Sequence, residues 1–534
     1  MAHQPTTERV YIYDSTLRDG AQTHGVDFTS TDKEDIASQL DKLGIDYIEG
    51  GWPGANPTDD AFFAKPPRCK HAKIAAFGMT RRPSTSTAND PGLNALINSG
   101  ATTITLVGKC WDFHIASALN TTLDVNLAMI RESIAHVVAA KCESLFDAEH
   151  FFDGYKSNPD VALACIKAAY ESGARWIVLC DTNGGTLPDE IFTIVSAITC
   201  VIPGSHLGIH CHNDTENAVA NSLAAVRAGA RQVQGTINGL GERCGNANLV
   251  SIIPNLMLKM GYDVGISNEG LKHLTRLSRF LDERLNRNPD PFKAYVGSAA
   301  FAHKGGLHVS AVIKNPKSYE HIDPTLVGNQ RHILVSDQSG KSNILARLQE
   351  IGIAIPKDED SIMRLVSDVK DRESKGYAYD SADASFALLA MRWLSVVPLY
   401  FRLDSFRVID ERRWNAREEL VTVSEATVKL HIGDQQLMSV AEGNGPVNAL
   451  DLALRKVLAH IYPALKEFKL VDYKVRIVSS EQGTEAITRV LIESADTIGN
   501  RWSTVGVSTN IIDASYHALH DSITYHLLES GVTI

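Results

Sequence analysis

Val10-Tyr11-Ile12-Tyr13-Asp14-Ser15-Thr16-Leu17-Arg18-Asp19-Gly20 is the stretch on which the fold turns. Its first half is a short apolar run of strand type. Immediately after such a first strand, an open doubly wound sheet normally carries a Gly-x-Gly-x-x-Gly turn. Here Leu17-Arg18-Asp19-Gly20 stands in that place. From this run to about residue 250, seven more follow: Tyr47–Gly51, Lys73–Met79, Thr102–Lys109, Ser144–His150, Trp176–Thr182, Leu207–His212 and Val233–Asn238. Between them lie helix-length segments such as Thr31–Leu43, Pro91–Ser99, Leu127–Ala140, Pro159–Ser172, Pro188–Cys200 and Glu216–Ala228, several with Pro or Thr at the start and Gly just past the end. Eight strand–helix units in succession imply parallel strands, and their length predicts an α/β fold with a closed (β/α)8 TIM barrel over residues 1–270.

The composition agrees. The 534 residues are 44% hydrophobic, 22% charged and 7% aromatic, which excludes disordered, collagenous and disulfide-stapled classes. Lys and Arg total 52 against 63 Asp and Glu, a net charge of -11, so no basic stripe exists to track nucleic acid or an anionic membrane. The eight cysteines never form Cys-x-x-Cys and predict reduced, mostly buried thiols. The opening MAHQPTTERV lacks an apolar signal region, and the nearly uncharged Ile191–Gly204 is shorter than the ~20 residues that span a bilayer. A cytosolic chain without anchor or export signal is expected.

Barrel chemistry collects at the C-terminal ends of the strands, so polar residues there are candidates for function. These ends read Asp14–Gly20, Glu49-Gly50-Gly51, Glu149-His150, Asp181-Thr182 and His210-Cys211-His212-Asn213-Asp214. Strand side chains alternate with period two, so His210 and His212 point to one side. A single strand histidine is ordinarily a satisfied core residue; two at a strand end, with Asp19 arriving from the first strand, are the ligand set of a shared ion. Without thiolates, that set favours Mn²⁺, Mg²⁺ or Zn²⁺ with positions left open for water or a chelating substrate. A fourth ligand oxygen is expected from the loop after the eighth strand, at Asn246. That loop, Asn238–Asn248, has the wrong glycine spacing for a dinucleotide fingerprint, although its glycines would let backbone approach a ligand. Ser339-Gly340-Lys341-Ser342 imitates a P-loop, but Val335 occupies the place of the first glycine.

Asp-Ser-Thr-Leu-Arg-Asp-Gly at 14–20, His-Cys-His-Asn-Asp at 210–214 and Gly-Glu-Arg-Cys-Gly-Asn at 241–246 together resemble the signatures of the metal-dependent barrel family of isopropylmalate, homocitrate and citramalate synthases and hydroxymethylglutaryl-CoA lyase. The resemblance continues through Phe301–His308, Ser339-Gly340-Lys341 and Gly443–Ala449, nearly the whole chain. Trp52–Pro57 and Ala148–Lys156 are most similar to the citramalate-forming branch. The resemblance implies a Claisen-type condensation of acetyl-CoA with pyruvate, in isoleucine biosynthesis; the same chemistry on 2-oxoisovalerate or 2-oxoglutarate is the alternative, and a lyase or a non-catalytic metal-binding regulator are more distant ones. It matches Asp19, His210, His212 and Asn246 to the family's metal ligands.

Arg18 would stabilise the developing enolate or alkoxide. Glu49 would orient Arg18 or the metal's waters, and Thr182 would hydrogen-bond the substrate carboxylate or cap a helix. Glu149 is expected as the base for the methyl proton, its carboxyl raised by burial. His308 and Tyr319 match family positions from the segment after the barrel, of the partner subunit of a homodimer; Ser310 stands where many relatives carry an acid, which makes a His–acid relay there doubtful. Phe77, Met79, Val107, Lys109 and Trp111 are expected to wall the substrate's alkyl group. Residues 271–400 are expected to form small, mainly helical subdomains over the barrel mouth, with a helix at Leu271–Arg287, a loop-rich stretch at Asn288–Asp337 and a charged connection at Lys370–Gly376. Residues 401–534 show a weak repeat of strands before a helix, in a C-terminal α+β module that resembles an amino-acid-sensing regulatory domain, with isoleucine the implied effector or dimerisation its sole role.

Overall fold

The computed structural model describes residues 8–335, 341–353, 359–393, 397–414, 416–478 and 486–533. Ser339 and Gly340 of the P-loop-like motif lie outside them. Two compact units emerge: residues to Phe301 with Ile322–Gln330, and Ala302–His321 with Arg331 onward.

In the first unit Tyr11–Asp14 (β1), Tyr47–Gly51 (β2), Lys73–Met79 (β3), Thr103–Lys109 (β4), Glu143–Glu149 (β5), Trp176–Asp181 (β6), Leu207–Cys211 (β7) and Gln232–Gly235 (β8) form a closed parallel barrel in sequence order. Alternation sorts their side chains. Ile12, Ile48, Ile104, Leu106, Phe146, Ile177, Ile209 and Val233 face outward into one core shared with the helices. Tyr13, Tyr47, Ala75, Leu145, Trp176 and Val178 form a separate cluster within the barrel. β1 closes the ring on β8, with Ile12 opposite Val233 and Asp14 opposite Gly235.

Local chemistry sets the helix starts. Pro57, Pro91 and Pro159 each open a helix, and Asn56, Asp90 and Asn158 accept the backbone N–H three residues on. Thr29 and Asp32 form a capping box, and Gly44, at φ 101°, ends that helix in the left-handed region. Lys33 is buried, giving one hydrogen bond to Gly50 O at 3.0 Å and an ion pair to Asp59. Asp59 also accepts from Trp52 N at 2.8 Å. This pair fixes the turn after β2, where Gly51 is obligatory because a Cβ would lie 2.4 Å from the Asp59 carboxyl carbon.

The second unit contains the short pair Ala302–His303 (β9) and His332–Ile333 (β10), the helices Gly306–Lys314, Lys341–Glu350, Glu359–Ser374 and Asp383–Trp393, and two three-stranded antiparallel sheets. Arg402–Trp414 (β11), Leu420–Ile432 (β12) and Gln435–Gly443 (β13) precede the helix Pro446–Ile461; Phe468–Ile477 (β14), Thr488–Asp496 (β15) and Arg501–Ser508 (β16) precede Ile511–Glu529. The repeat is therefore three strands and a helix, twice. β11 escapes the sequence pattern because it is an edge strand, charged and largely exposed along its length. Two further expectations are corrected. Most of Lys370–Gly376 is the last turn of a helix whose charges are its solvated face, and the loop-rich 288–337 stretch contains the helix Gly306–Lys314. All eight cysteines are free, but only Cys110, Cys165, Cys180 and Cys211 are buried, with Cys200 and Cys244 exposed. Among the described residues no helix is long and apolar enough to cross a membrane.

Removing one partner of a buried ion pair leaves the other uncompensated, at a cost of about 3–5 kcal/mol. Asp59→Ala is expected to destabilise the barrel by that amount in denaturant unfolding, and a loss below about 1 kcal/mol would contradict the role given to the pair.

Candidate active site

The turn after β1 is built by its own polar side chains. Ser15 N donates to Gly235 O at 2.8 Å, Thr16 Oγ1 donates to Asp14 Oδ2 at 2.8 Å and accepts Ile237 N–H at 2.9 Å, and Gly20 N returns to Ser15 O at 3.0 Å. Asp14 is wholly buried there, and burial pushes its carboxyl up to about 7. The turn is thus stitched to the C-terminal end of β8, and it aims Arg18 and Asp19 over the barrel.

Asp19 Oδ2 lies 3.4 Å from His210 Nε2 and 3.9 Å from His212 Nε2, and the two imidazole nitrogens are 3.3 Å apart. All three residues are buried. Burial alone would raise the Asp19 carboxyl, but Arg18 and the two imidazoles hold it below its ordinary value. Burial, then His210, pushes His212 down to about 3, so it is neutral near pH 7 and its ring offers a lone pair. His210 Nδ1 meets Gln234 Oε1 at 2.9 Å, and Gln234 Nε2 donates to Asp147 Oδ1 at 3.1 Å. With Nδ1–H given to the amide oxygen, His210 turns the lone pair of Nε2 toward Asp19 and His212. Burial, then Glu49, pushes the Asp147 carboxyl up to about 8.

Asn246 pairs with His212 across an isolated antiparallel bridge and donates from Nδ2 to Leu240 O at 3.2 Å. Its Oδ1 is buried without a hydrogen-bond partner. An orphaned amide oxygen beside two imidazoles and a carboxylate suits a divalent cation, so the residues present fit the metal the sequence implies. The loop glycines are needed by the loop itself. They let the loop fold against itself around Asn246: a Cβ at Gly241 would sit 2.3 Å from Asn246 Nδ2, and one at Gly245 would sit 2.0 Å from Gly239 O.

Arg18 donates from Nε to Glu49 Oε2 at 2.8 Å, and its guanidinium lies 3.8 Å from the Phe77 ring centroid. Glu49, fully buried, also accepts from Tyr13 at 2.8 Å and from Ser15. Glu49 thereby holds the Arg18 guanidinium in place. Lys109 is ion-paired with Glu149, so this carboxylate has a cation beside it and a partly exposed side chain where burial was expected. Thr182 Oγ1 accepts His150 N–H at 2.9 Å, from the residue after β5, and its own helix is not what it caps.

These groups line one cavity of about 270 Å³, with Arg18, Asp19, Phe77, Met79, Val107, Lys109, Glu149, Thr182, His210 and His212 all in its wall. Trp111 is not; it packs against His114 and His150 with centroids 4.9 and 5.7 Å away. Six others in the wall have no role assigned from the sequence: Gln22, Trp52, Asp147, Cys180, Glu242 and Arg243. Period-two counting back from Glu149 would have found Asp147, which shares its inward face. Trp52 stands edge-on to Phe77, centroids 5.5 Å apart, and Arg243 clamps Asp214 at 2.7 Å and Thr182 O at 2.8 Å. His308 and Tyr319 belong to the second unit; their rings pack with centroids 4.3 Å apart, both exposed.

A closed parallel barrel with this cluster at its strand ends defines a metal-site barrel enzyme. The chain belongs to the HMGL-like family, whose profile matches residues 9–280. A homocitrate synthase post-HMGL domain-like profile matches 295–376, and a LeuA allosteric (dimerisation) domain profile matches 380–527. The chain is 53% identical over 525 residues to an (R)-citramalate synthase of Aquifex aeolicus, with 98% of each chain covered. It is 51% identical to one of Geobacter sulfurreducens, again with 98% of each covered, and 32% identical to a 2-isopropylmalate synthase of Methanocaldococcus jannaschii, with 97% of this chain and 94% of that one covered.

Calorimetric titration of Mn²⁺ into EDTA-stripped protein should show one site per chain that His212→Ala abolishes. Gln234→Leu should weaken it by about 10–100-fold, as loss of an outer-shell partner does; unaltered affinity in both variants would remove these residues from the site.

Proposed function

We propose that the chain is an (R)-citramalate synthase, condensing acetyl-CoA with pyruvate and water to give citramalate and free CoA. The observation that carries this reading is the convergence of Arg18, Asp19, His210 and His212 on a single small cavity, in a chain 43–53% identical over nearly its full length to several (R)-citramalate synthases. Its lower identity to 2-isopropylmalate synthases supports pyruvate over a branched 2-oxo acid.

When bound, a divalent ion held by Asp19, His210, His212 and Asn246 supplies Lewis-acid polarisation and a template for the carboxylate and ketone of the 2-oxo acid. The remaining work falls to side chains. Glu149 takes a proton from the acetyl methyl group, and Lys109 balances the carboxylate before that transfer. The resulting carbon nucleophile forms a bond to the keto carbon of pyruvate, whose oxygen becomes an alkoxide and then takes up the proton that Glu149 removed, leaving the hydroxyl of the product. Arg18, permanently charged and locked by Glu49, stabilises the negative charge on oxygen without having to reorganise. Thr182 donates its hydroxyl proton to the substrate carboxylate. Water then cleaves the thioester and CoA leaves as the thiol; His308, with Tyr319, activates that water from the partner subunit of a homodimer. Trp52, Phe77, Met79 and Val107 leave room for a methyl group and exclude an isopropyl group. The C-terminal module receives isoleucine as a feedback inhibitor, a reading supported by the LeuA-type profile over residues 380–527.

Thiol release from acetyl-CoA across a panel of 2-oxo acids tests this directly. Pyruvate should exceed 2-oxoisovalerate and 2-oxoglutarate in kcat/KM by at least about tenfold, the lower end of what a pocket wall discriminates; preference for either rival overturns the assignment. Arg18→Lys should lower kcat by about 10²–10³-fold with metal binding retained.

A further inference from the structure

Building on the condensation proposed above, we propose that Asp147 makes the cavity a recognition site for a substrate hydroxyl, so that the enzyme also condenses acetyl-CoA with a 2-oxo acid bearing a hydroxyl group on the carbon beside the ketone. The wall given to the alkyl group is apolar except at one place. Met79 on β3 stands opposite Val107 on β4, and Val107 stands opposite Asp147 on β5. Three neighbouring strands therefore present a thioether, a branched hydrocarbon and a carboxyl group at one level of the cavity wall. One step nearer the mouth, Lys109 and Glu149 stand opposite each other and are ion-paired, so each is already engaged.

Asp147 is 3% exposed and is held in one orientation. Gln234 Nε2 donates to its Oδ1 at 3.1 Å, and the Gln234 amide is itself fixed by His210 Nδ1 at 2.9 Å. Among the described residues no group is hydrogen-bonded to Oδ2, and this oxygen reaches the cavity surface. Burial, then Glu49, pushes the carboxyl up to about 8, so near pH 7 it is a neutral acid. With Oδ1 accepting, the acid's proton is on Oδ2 and is free for an acceptor. The ionised carboxylate would accept at the same oxygen. A hydroxyl group, which both donates and accepts, is a partner for either form.

A methyl group can do neither. Bound pyruvate leaves Oδ2 without a partner, and an ethyl group would press a second apolar carbon against the carboxyl. A hydroxymethyl group is as long as an ethyl group and ends in an oxygen. Discrimination of this kind is steep, because a buried polar group rejects an analogue that leaves it unpaired more strongly than a pocket senses one methylene. The bonds made and broken are those of the pyruvate reaction. Glu149 takes the acetyl methyl proton, the carbon–carbon bond forms at the keto carbon, the alkoxide takes up that proton, and water cleaves the thioester to release CoA as the thiol. The substrate's own hydroxyl is neither formed nor broken.

Thiol release by the Mn²⁺-loaded, full-length enzyme, with pyruvate, 3-hydroxypyruvate and 2-oxobutanoate as separate substrates, tests this. The last two differ by one hydroxyl in place of one methyl group. The kcat/KM for 3-hydroxypyruvate should exceed that for 2-oxobutanoate by at least about tenfold, the loss expected when a buried polar group goes unpaired. Asp147→Leu should reverse that order, and Asp147→Asn, which keeps a donor and an acceptor, should preserve it. Each comparison is a ratio within one variant, so a weakened metal site or fold affects both substrates alike. Equal rates on the two substrates, a wild-type preference for 2-oxobutanoate, or a hydroxyl preference that survives Asp147→Leu would overturn the proposal while pyruvate turnover upholds the condensation. Absence of turnover with pyruvate would overturn both.

Discussion

Closure of the sheet between β1 and β8 is the constraint on which the active site depends. Asp19 leaves the end of the first strand, whereas His210 and His212 stand on the seventh. In an open sheet these would lie at distant edges; only a ring that seats Tyr11–Asp14 against Gln232–Gly235 brings the carboxylate within 3.4 Å of an imidazole nitrogen. The polar stitching of Asp14, Ser15 and Thr16 to Gly235 and Ile237 secures that closure at the catalytic end. Fold and candidate ligand set are therefore linked, since Asp19, His210 and His212 meet only where the barrel shuts.

Beneath the site the barrel departs from the usual apolar filling. Tyr13 hydrogen-bonds Glu49 and Thr105, and Gln234 joins His210 to Asp147. These buried polar groups satisfy one another in chains, which makes each link directional. One chain ends on Arg18 and fixes its guanidinium over the cavity. The other ends on His210 and selects the tautomer that can bind a metal. Preorganisation at the mouth is thus set by residues one layer down, in a wall that water does not reach.

What the sequence made legible follows from which signals are local. The barrel strands could be counted because their outward faces are continuous apolar runs, and helix starts could be placed because Asp90 and Asn158 precede a proline. His210, His212 and Asp19 could be named because alternation and strand ends are sequence properties. Gln234 was missed: a polar residue in mid-strand reads as noise until its partners, His210 on the neighbouring strand and Asp147 across the barrel, are known. β11 was missed because, beyond Leu403, Phe406 and Val408, its residues are mostly charged and exposed, too short an apolar alternation to stand out. Glu149 was expected to be raised by burial alone because its partner, Lys109, comes from the neighbouring strand, a pairing that only register reveals.

The central claim is that Asp19, His210 and His212 jointly hold one divalent ion at the mouth of the closed barrel. Anomalous diffraction from crystals grown with Mn²⁺ and pyruvate tests it most directly. A single peak per chain, with the Asp19 carboxylate and the Nε2 atoms of both histidines at about 2.0–2.2 Å and pyruvate oxygens on the open side, is the predicted result. Strong density for the ion elsewhere, or a site contacted by fewer than these three side chains, would contradict it.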